Sequence, residues 1–152
     1  GSIVTSPGLR TMVDRQKFKI AAARILGTLI PKASIPNGLD LDGLCRDEQV
    51  VKDYIADPLV HDRVSLRLGK KMFEAITYVF GRAADIKTPL LLMHGNDDWI
   101  TFPEGSEEIA ESLTCDKELK ICEGCYHELH NEPNQDEIFQ IIKEWLDRKL
   151  AN

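Results

Sequence analysis

The chain has 152 residues, 43% hydrophobic and 29% charged, which is enough for one domain with its own core. Its net charge of −6 argues against nucleic acid as a partner, because phosphate binding needs a clustered basic surface. No apolar run reaches the roughly eighteen residues that cross a bilayer, and four cysteines without a secretory segment point to free thiols in a reducing, cytoplasmic setting.

In chain order, Ile3-Val4-Thr5 reads as a short strand closed by the turn residues Ser6-Pro7-Gly8. Over residues 13–30, Phe18, Ala22, Ile25, Leu26 and Leu29 recur at helical spacing until Pro31 stops the helix. The opposite face carries Arg15, Lys17, Lys19 and Arg24. That is either an ordinary solvated face or, with the apolar stripe, a surface that rests on anionic lipid. Residues 31–43, with Pro36-Asn37-Gly38, form a loop, and Asp47 is placed to cap a short helix through Tyr54 that Asp57-Pro58 ends. A longer helix is expected over residues 62–84, with Leu68, Met72, Ala75 and Val79 along one stripe. Residues 9–85 thus separate the first strand from the second by far more than a parallel crossover requires, and they read as a helical insertion.

The stretch TPLLLMHGNDDWI, residues 88–100, has the form of a fully buried parallel strand ending in a sharp turn. A helix follows from Pro103 through Leu113, with Glu104, Glu107 and Glu108 in its first turns, where acids complement the dipole. A second apolar run, Leu119 to Cys122, leads into EGCYHELH, residues 123–130, and a last helix carries Ile138, Ile141, Ile142 and Trp145 at spacings of three and four. Strand, helical insert, strand, helix, strand, helix is the order of an α/β fold with a parallel sheet.

Open sheets of this kind hold ligands at the carboxyl ends of their strands. Asp97 and Asp98 stand just past one such end, and His127 past the next. A carboxylate and a histidine so placed can meet on one rim, as the acid and base of a nucleophile-histidine-acid triad. On the residues alone, Asp97 and Asp98 compete for the acid, and His94, inside the strand end, reads as a hydrogen-bonded core histidine. Cys122-Glu-Gly-Cys125 supports a rival account. With Cys115, His127 and His130 it gives an alternative function, a small metal-binding or interaction module, or else a redox motif. Both lack support from the flanks: no helix start follows Cys125 until Pro133, and no second ligand pair lies at zinc-finger distance.

Three segments together resemble the C-terminal part of an α/β-hydrolase of the monoacylglycerol lipase or lysophospholipase type: IKTPLLLMHGNDDWI, EGCYHELHNEP with its closing helix, and DYIADPLV at residues 53–60. The resemblance covers nearly the whole chain. It implies a serine esterase that needs no cofactor and acts on a lipid-like ester, a monoacylglycerol or a lysophospholipid. In the family pattern of Gly, two residues, then Asp, Gly95 selects Asp98 as the triad acid; His127 is implied as the base, and His130 as a polar contact to the substrate's alcohol. Residues 9–85 then correspond to the helical cap or lid, with Tyr54 and Asp57 structural. Its Ile25, Leu26 and Leu29 are candidates for contact with the acyl chain or a membrane surface. Residues 1–8 and 86–152 correspond to the hydrolase core. The Gly-x-Ser-x-Gly elbow and an early His-Gly loop are absent from these residues. The resemblance therefore implies the back half of a hydrolase, whose nucleophile, oxyanion hole and remaining strands come from an N-terminal half outside these 152 residues.

Overall fold

A computed structural model describes residues 1–12 and 17–151. Three parallel strands, β1 (Ser2–Thr5), β4 (Leu90–Gly95) and β5 (Lys117–Cys122), form a sheet in the order β1-β4-β5. Between β1 and β4 the chain builds α1 (Lys17–Leu29), β2 (Ser34–Pro36), α2 (Glu48–Ala56), β3 (Arg63–Ser65) and α3 (Leu66–Arg82). Helix α4 (Glu104–Ser112) joins β4 to β5, and α5 (Gln135–Leu150) closes the chain.

β4 is central because its sequence suits no other place. All six of its residues are buried, and alternate side chains enter two different cores. Leu90 and Leu92 pack with Ile109, Ala110 and Leu113 of the α4 side. Leu91 and Met93, with no exposed surface, pack with Ile138 and Trp145 of α5. Each such side chain contributes about 1.5–3 kcal/mol by leaving water. Charge pairs join α5 to β5 and the residue before it, Arg148 reaching Glu118 at 2.7 Å and Lys149 reaching Asp116 at 2.5 Å.

Asp47 caps α2 as expected, its Oδ1 accepting from the Gln49 amide at 2.8 Å. The insertion is not wholly helical. Ser34, Ile35 and Pro36 pair antiparallel with Ser65, Val64 and Arg63, a ribbon that replaces the first turn expected of the long helix. Of the stripe expected on that helix, only the far end faces inward, where Val79 packs against the sheet core. Leu68 and Met72 are exposed, while Leu66 is buried and Phe73 and Ile76 are partly so. The cause is the crossing with α1: a side chain at Gly27 would lie 2.6 Å from the Leu66 carbonyl and 2.8 Å from Lys70 Cβ, so the two helices meet backbone to backbone there. With Gly27 at that contact, several large side chains of α1 among the described residues point outward. Phe18, Ile25, Leu26 and Leu29 are 85%, 59%, 39% and 71% exposed. Of the basic residues expected on α1, Arg15 and the side chains of Lys17, Lys19 and Arg24 lie outside the described residues.

The insertion also reaches into the sheet. Leu9 and Ala83 belong to the core on the α4 face, and Val79 and Phe80 pack against it. A separate small core, Leu44, Cys45 and Val51 with Tyr54 and Ile100, lies over the carboxyl ends of the strands.

Candidate active site

Two loops, one after β4 and one after β5, are stacked on each other. A Cβ at Gly95 would stand 2.1 Å from the Cys125 carbonyl oxygen and 2.4 Å from that of Tyr126, so no other residue lets the loops close. The Asn96 and Asp97 amides donate to the carbonyls of Cys122 and Cys125 at 3.1 Å each, and Asn96 Oδ1 accepts from the Gly124 amide at 2.6 Å. Gly124 takes φ +67, the left-handed backbone that tightens the turn running from Cys122 to Cys125. Two residues later stands His127.

Of the two adjacent carboxylates, Asp97 is exposed and Asp98 is buried, with no side-chain surface left to solvent. Asp98 Oδ2 lies 2.8 Å from His127 Nδ1. Its Oδ1 accepts from the amides of Ile100 at 2.8 Å and Thr101 at 3.0 Å, a turn in which an aspartate caps its own loop. Burial alone would push the Asp98 carboxyl up. It is outweighed by hydrogen bonds from His127, His94 and the Thr101 amide, so the group is held well below the usual carboxylate range. An ionised carboxylate only accepts, which assigns the proton of His127 to Nδ1 and leaves Nε2 with a free lone pair. Among the described residues Nε2 makes no hydrogen bond, and the side chain is 25% exposed.

Of the partners of this pair, His94 was expected as a hydrogen-bonded core histidine, while Thr101 and Ser106 had no signal in the sequence. Thr101, buried, donates its hydroxyl to Asp98 Oδ2 at 3.0 Å and lies 3.1 Å from His127 Nδ1. His94 and Ser106, both fully buried, stand behind the carboxylate. Glu132 is also fully buried; its Oε1 accepts from the Tyr126 amide and its Oε2 from Arg46 Nε, each at 2.6 Å. The same insertion segment meets the histidine loop twice more, the His127 and Glu128 amides donating to the carbonyls of Gly43 and Leu44 at 3.3 and 2.7 Å.

The other candidates lie apart from the pair. His130 is exposed, in a helical turn over Leu129–Asn131, and among the described residues no hydrogen bond joins it to Asp98 or His127. Ile25, Leu26 and Leu29 form part of an outward apolar patch. Of the cysteines, Cys122 and Cys125 are buried free thiols, and burial pushes both up, Cys122 to about 11. Among the described residues no three His, Cys, Asp or Glu side chains converge as a metal site would require. Ser6, at the end of β1, has φ 43, the one non-glycine residue among those described with a left-handed backbone. Among the described residues its buried hydroxyl has no hydrogen-bond partner.

Comparison with known proteins bears on the family and the fold. A family profile described as serine aminopeptidase, S33 (Hydrolase_4) covers residues 1–134. A monoacylglycerol lipase of Mycolicibacterium smegmatis is 35% identical over 95% of this chain and 52% of its own length. The monoglyceride lipase of Homo sapiens is 31% identical over 99% and 51%. The crystal structure of Paleococcus ferrophilus monoacylglycerol lipase superposes with a TM-score of 0.90 at 40% identity, covering 95% of this chain and 57% of that one. The chain spans about half the length of these relatives. With a profile covering most of its length and a parallel sheet that superposes on a 40% identical relative, the chain belongs to the Hydrolase_4 family, described as serine aminopeptidase S33, and its architecture is part of an α/β-hydrolase fold.

Proposed function

We propose that this chain supplies the acid and the base of a serine hydrolase acting on acyl esters of the monoacylglycerol or lysophospholipid kind. The observation that carries the reading is the 2.8 Å contact between Asp98 Oδ2 and His127 Nδ1 at the carboxyl ends of β4 and β5, with the other ring nitrogen free. A serine hydroxyl presented to Nε2 would lose its proton there as it attacks the ester carbonyl, and the imidazolium would return that proton to the leaving alcohol. Asp98 holds the ring in the required tautomer and stabilises its charged form.

The serine is proposed to come from chain outside these residues. Ser6 is the candidate nearest the rim, but Pro7 after it has no amide to offer an oxyanion hole, and no hydrogen bond links its hydroxyl to His127. Residues 9–85 are proposed as the cap and residues 1–8 with 86–152 as the core. The exposed Ile25, Leu26 and Leu29 are the acyl-contacting or membrane-facing part of that cap. His130, three residues beyond the base, is proposed to meet the leaving alcohol. The substrate class is supported by the names of the relatives, two of them monoacylglycerol or monoglyceride lipases that are 35% and 31% identical.

The test is hydrolysis of short-chain and long-chain p-nitrophenyl esters by the intact protein. His127→Ala is expected to abolish turnover of both. The pair Leu26→Ser and Leu29→Ser is expected to lower turnover of the long chain alone, since exposed substitutions change stability by less than about 0.5 kcal/mol. Turnover that survives His127→Ala would overturn the catalytic reading. Equal losses on both esters from the leucine pair would remove its acyl-binding part.

A further inference from the structure

His94 is fully buried at the end of β4, and the proton path just described does not pass through it. Its ring nevertheless bridges two buried polar groups. Nε2 lies 3.1 Å from Asp98 Oδ2 and 2.9 Å from the Thr101 carbonyl oxygen. Both oxygens only accept, so Nε2 carries the ring proton. Nδ1 is then the acceptor, and the buried Ser106 hydroxyl, 2.7 Å away in α4, donates to it. One carboxylate oxygen is thus held between two imidazoles, His127 at the rim and His94 beneath.

We propose that His94 is a positioning residue for the acid and base pair: by donating to Asp98 Oδ2 it fixes the carboxylate on which His127 depends. The inference rests on the reading of Asp98 and His127 as acid and base. Its physical ground is that Oδ2 has no covalent restraint against rotation about the carboxyl bond. Its angle is set by the donors that meet the two oxygens, the Ile100 and Thr101 amides on Oδ1 and, on the Oδ2 side that faces His127, the Thr101 hydroxyl and the His94 ring, which Ser106 holds from behind.

Two near-isosteric substitutions separate the two sides of the ring. In His94→Gln the side-chain amide reaches the place of Nε2 and keeps a donor toward Asp98. In His94→Asn the amide reaches only the place of Nδ1, so the contact with Ser106 is kept and that with Asp98 is lost. Hydrolysis of a p-nitrophenyl ester by the intact protein is expected to show most of kcat retained in the glutamine variant. A drop of about tenfold to a hundredfold is expected in the asparagine variant, the size of one hydrogen bond to a charged group, with KM unchanged in both. His94→Leu keeps the volume and loses both contacts; it is expected to follow asparagine, and it serves where asparagine does not fold. Equal kcat in the glutamine variant and in the variants that lack the Asp98 contact would overturn the inference, as would losses appearing only in KM. His127→Ala, run alongside, keeps the two readings apart. Loss of turnover there with no difference among the His94 variants removes the positioning role and leaves the proposed function standing.

Discussion

Asp98 keeps its charge inside the protein because five donors meet its two oxygens: the amides of Ile100 and Thr101, the Thr101 hydroxyl, and the rings of His94 and His127. The resulting depression of its carboxyl fixes the sign of its linkage to folding. The carboxylate is bound more favourably in the native state than in the unfolded one. Its contribution to stability is therefore whole above the unfolded value of about 3.9 and drains away as the pH falls toward the lower native value. Urea unfolding of the intact protein at pH 6 and at pH 3 should show a larger acid loss in the wild type than in Asp98→Asn. Equal losses would mean that the carboxylate titrates the same folded and unfolded. At this scale the sequence placed the Asp97-Asp98 pair and His127 at the ends of apolar runs, while the choice of Asp98 over Asp97 came from the family pattern alone. His94 was legible as a hydrogen-bonded core histidine but not its partners, and Thr101 and Ser106 were not legible at all. Threonine in a loop and serine in a helix are unremarked where they stand, and the contacts of all three arise only when the Asp98 turn folds back over β4 and α4 returns beside it.

The elements of the insertion are legible in proportion to their length. α1 and α3 were signalled by apolar periodicity and by Pro31, but three-residue strands such as Ser34–Pro36 and Arg63–Ser65 are too short to alternate, and the first contains a proline besides. Their pairing across about thirty residues leaves no local trace. Which face of α3 turns inward was equally hidden, because a glycine on another helix decides it. The link between α2's leading segment and the histidine loop is the element-scale feature with the largest energetic stake. Glu132 has no exposed side-chain surface and depends on Arg46, itself 37% exposed, for its neutralising partner. Arg46→Ala is expected to lower the unfolding free energy by about 2 kcal/mol, since it strands a buried charge. Adding Glu132→Gln should restore part of that loss, because the uncompensated carboxylate is what costs stability. Denaturant unfolding of the two single variants and the double variant gives the coupling, and strictly additive losses would show that the ion pair does not tie the insertion to the loop.

For the whole molecule, the sheet was readable as a sheet because β4 opens on four consecutive apolar residues, Leu90 to Met93, and so suits a central, doubly covered place, where all six of its residues are buried. Its neighbours are unequal in a way that bears on time. In β4, Leu90 meets Lys117 of β5 on one side and Ser2 of β1 on the other, and the second partner lies more than three times as far along the chain. Closing the longer loop costs about 1 kcal/mol more in chain entropy, and the short four-residue β1 returns fewer ladder bonds for it. Folding order follows: β4, α4 and β5 assemble from neighbouring chain, and β1 docks on a ladder already made. Pulse-labelled hydrogen exchange during refolding of the intact protein should find the amides of β5 protected before that of Ser6, which donates to Met93 at 2.8 Å at the end of β1. Simultaneous protection would mean that the first strand is part of the folding nucleus. A strand that arrives last also leaves first, so Ser6, strained and with its hydroxyl unpartnered, sits where the rim beside Thr101 and Asp98 first comes apart on unfolding.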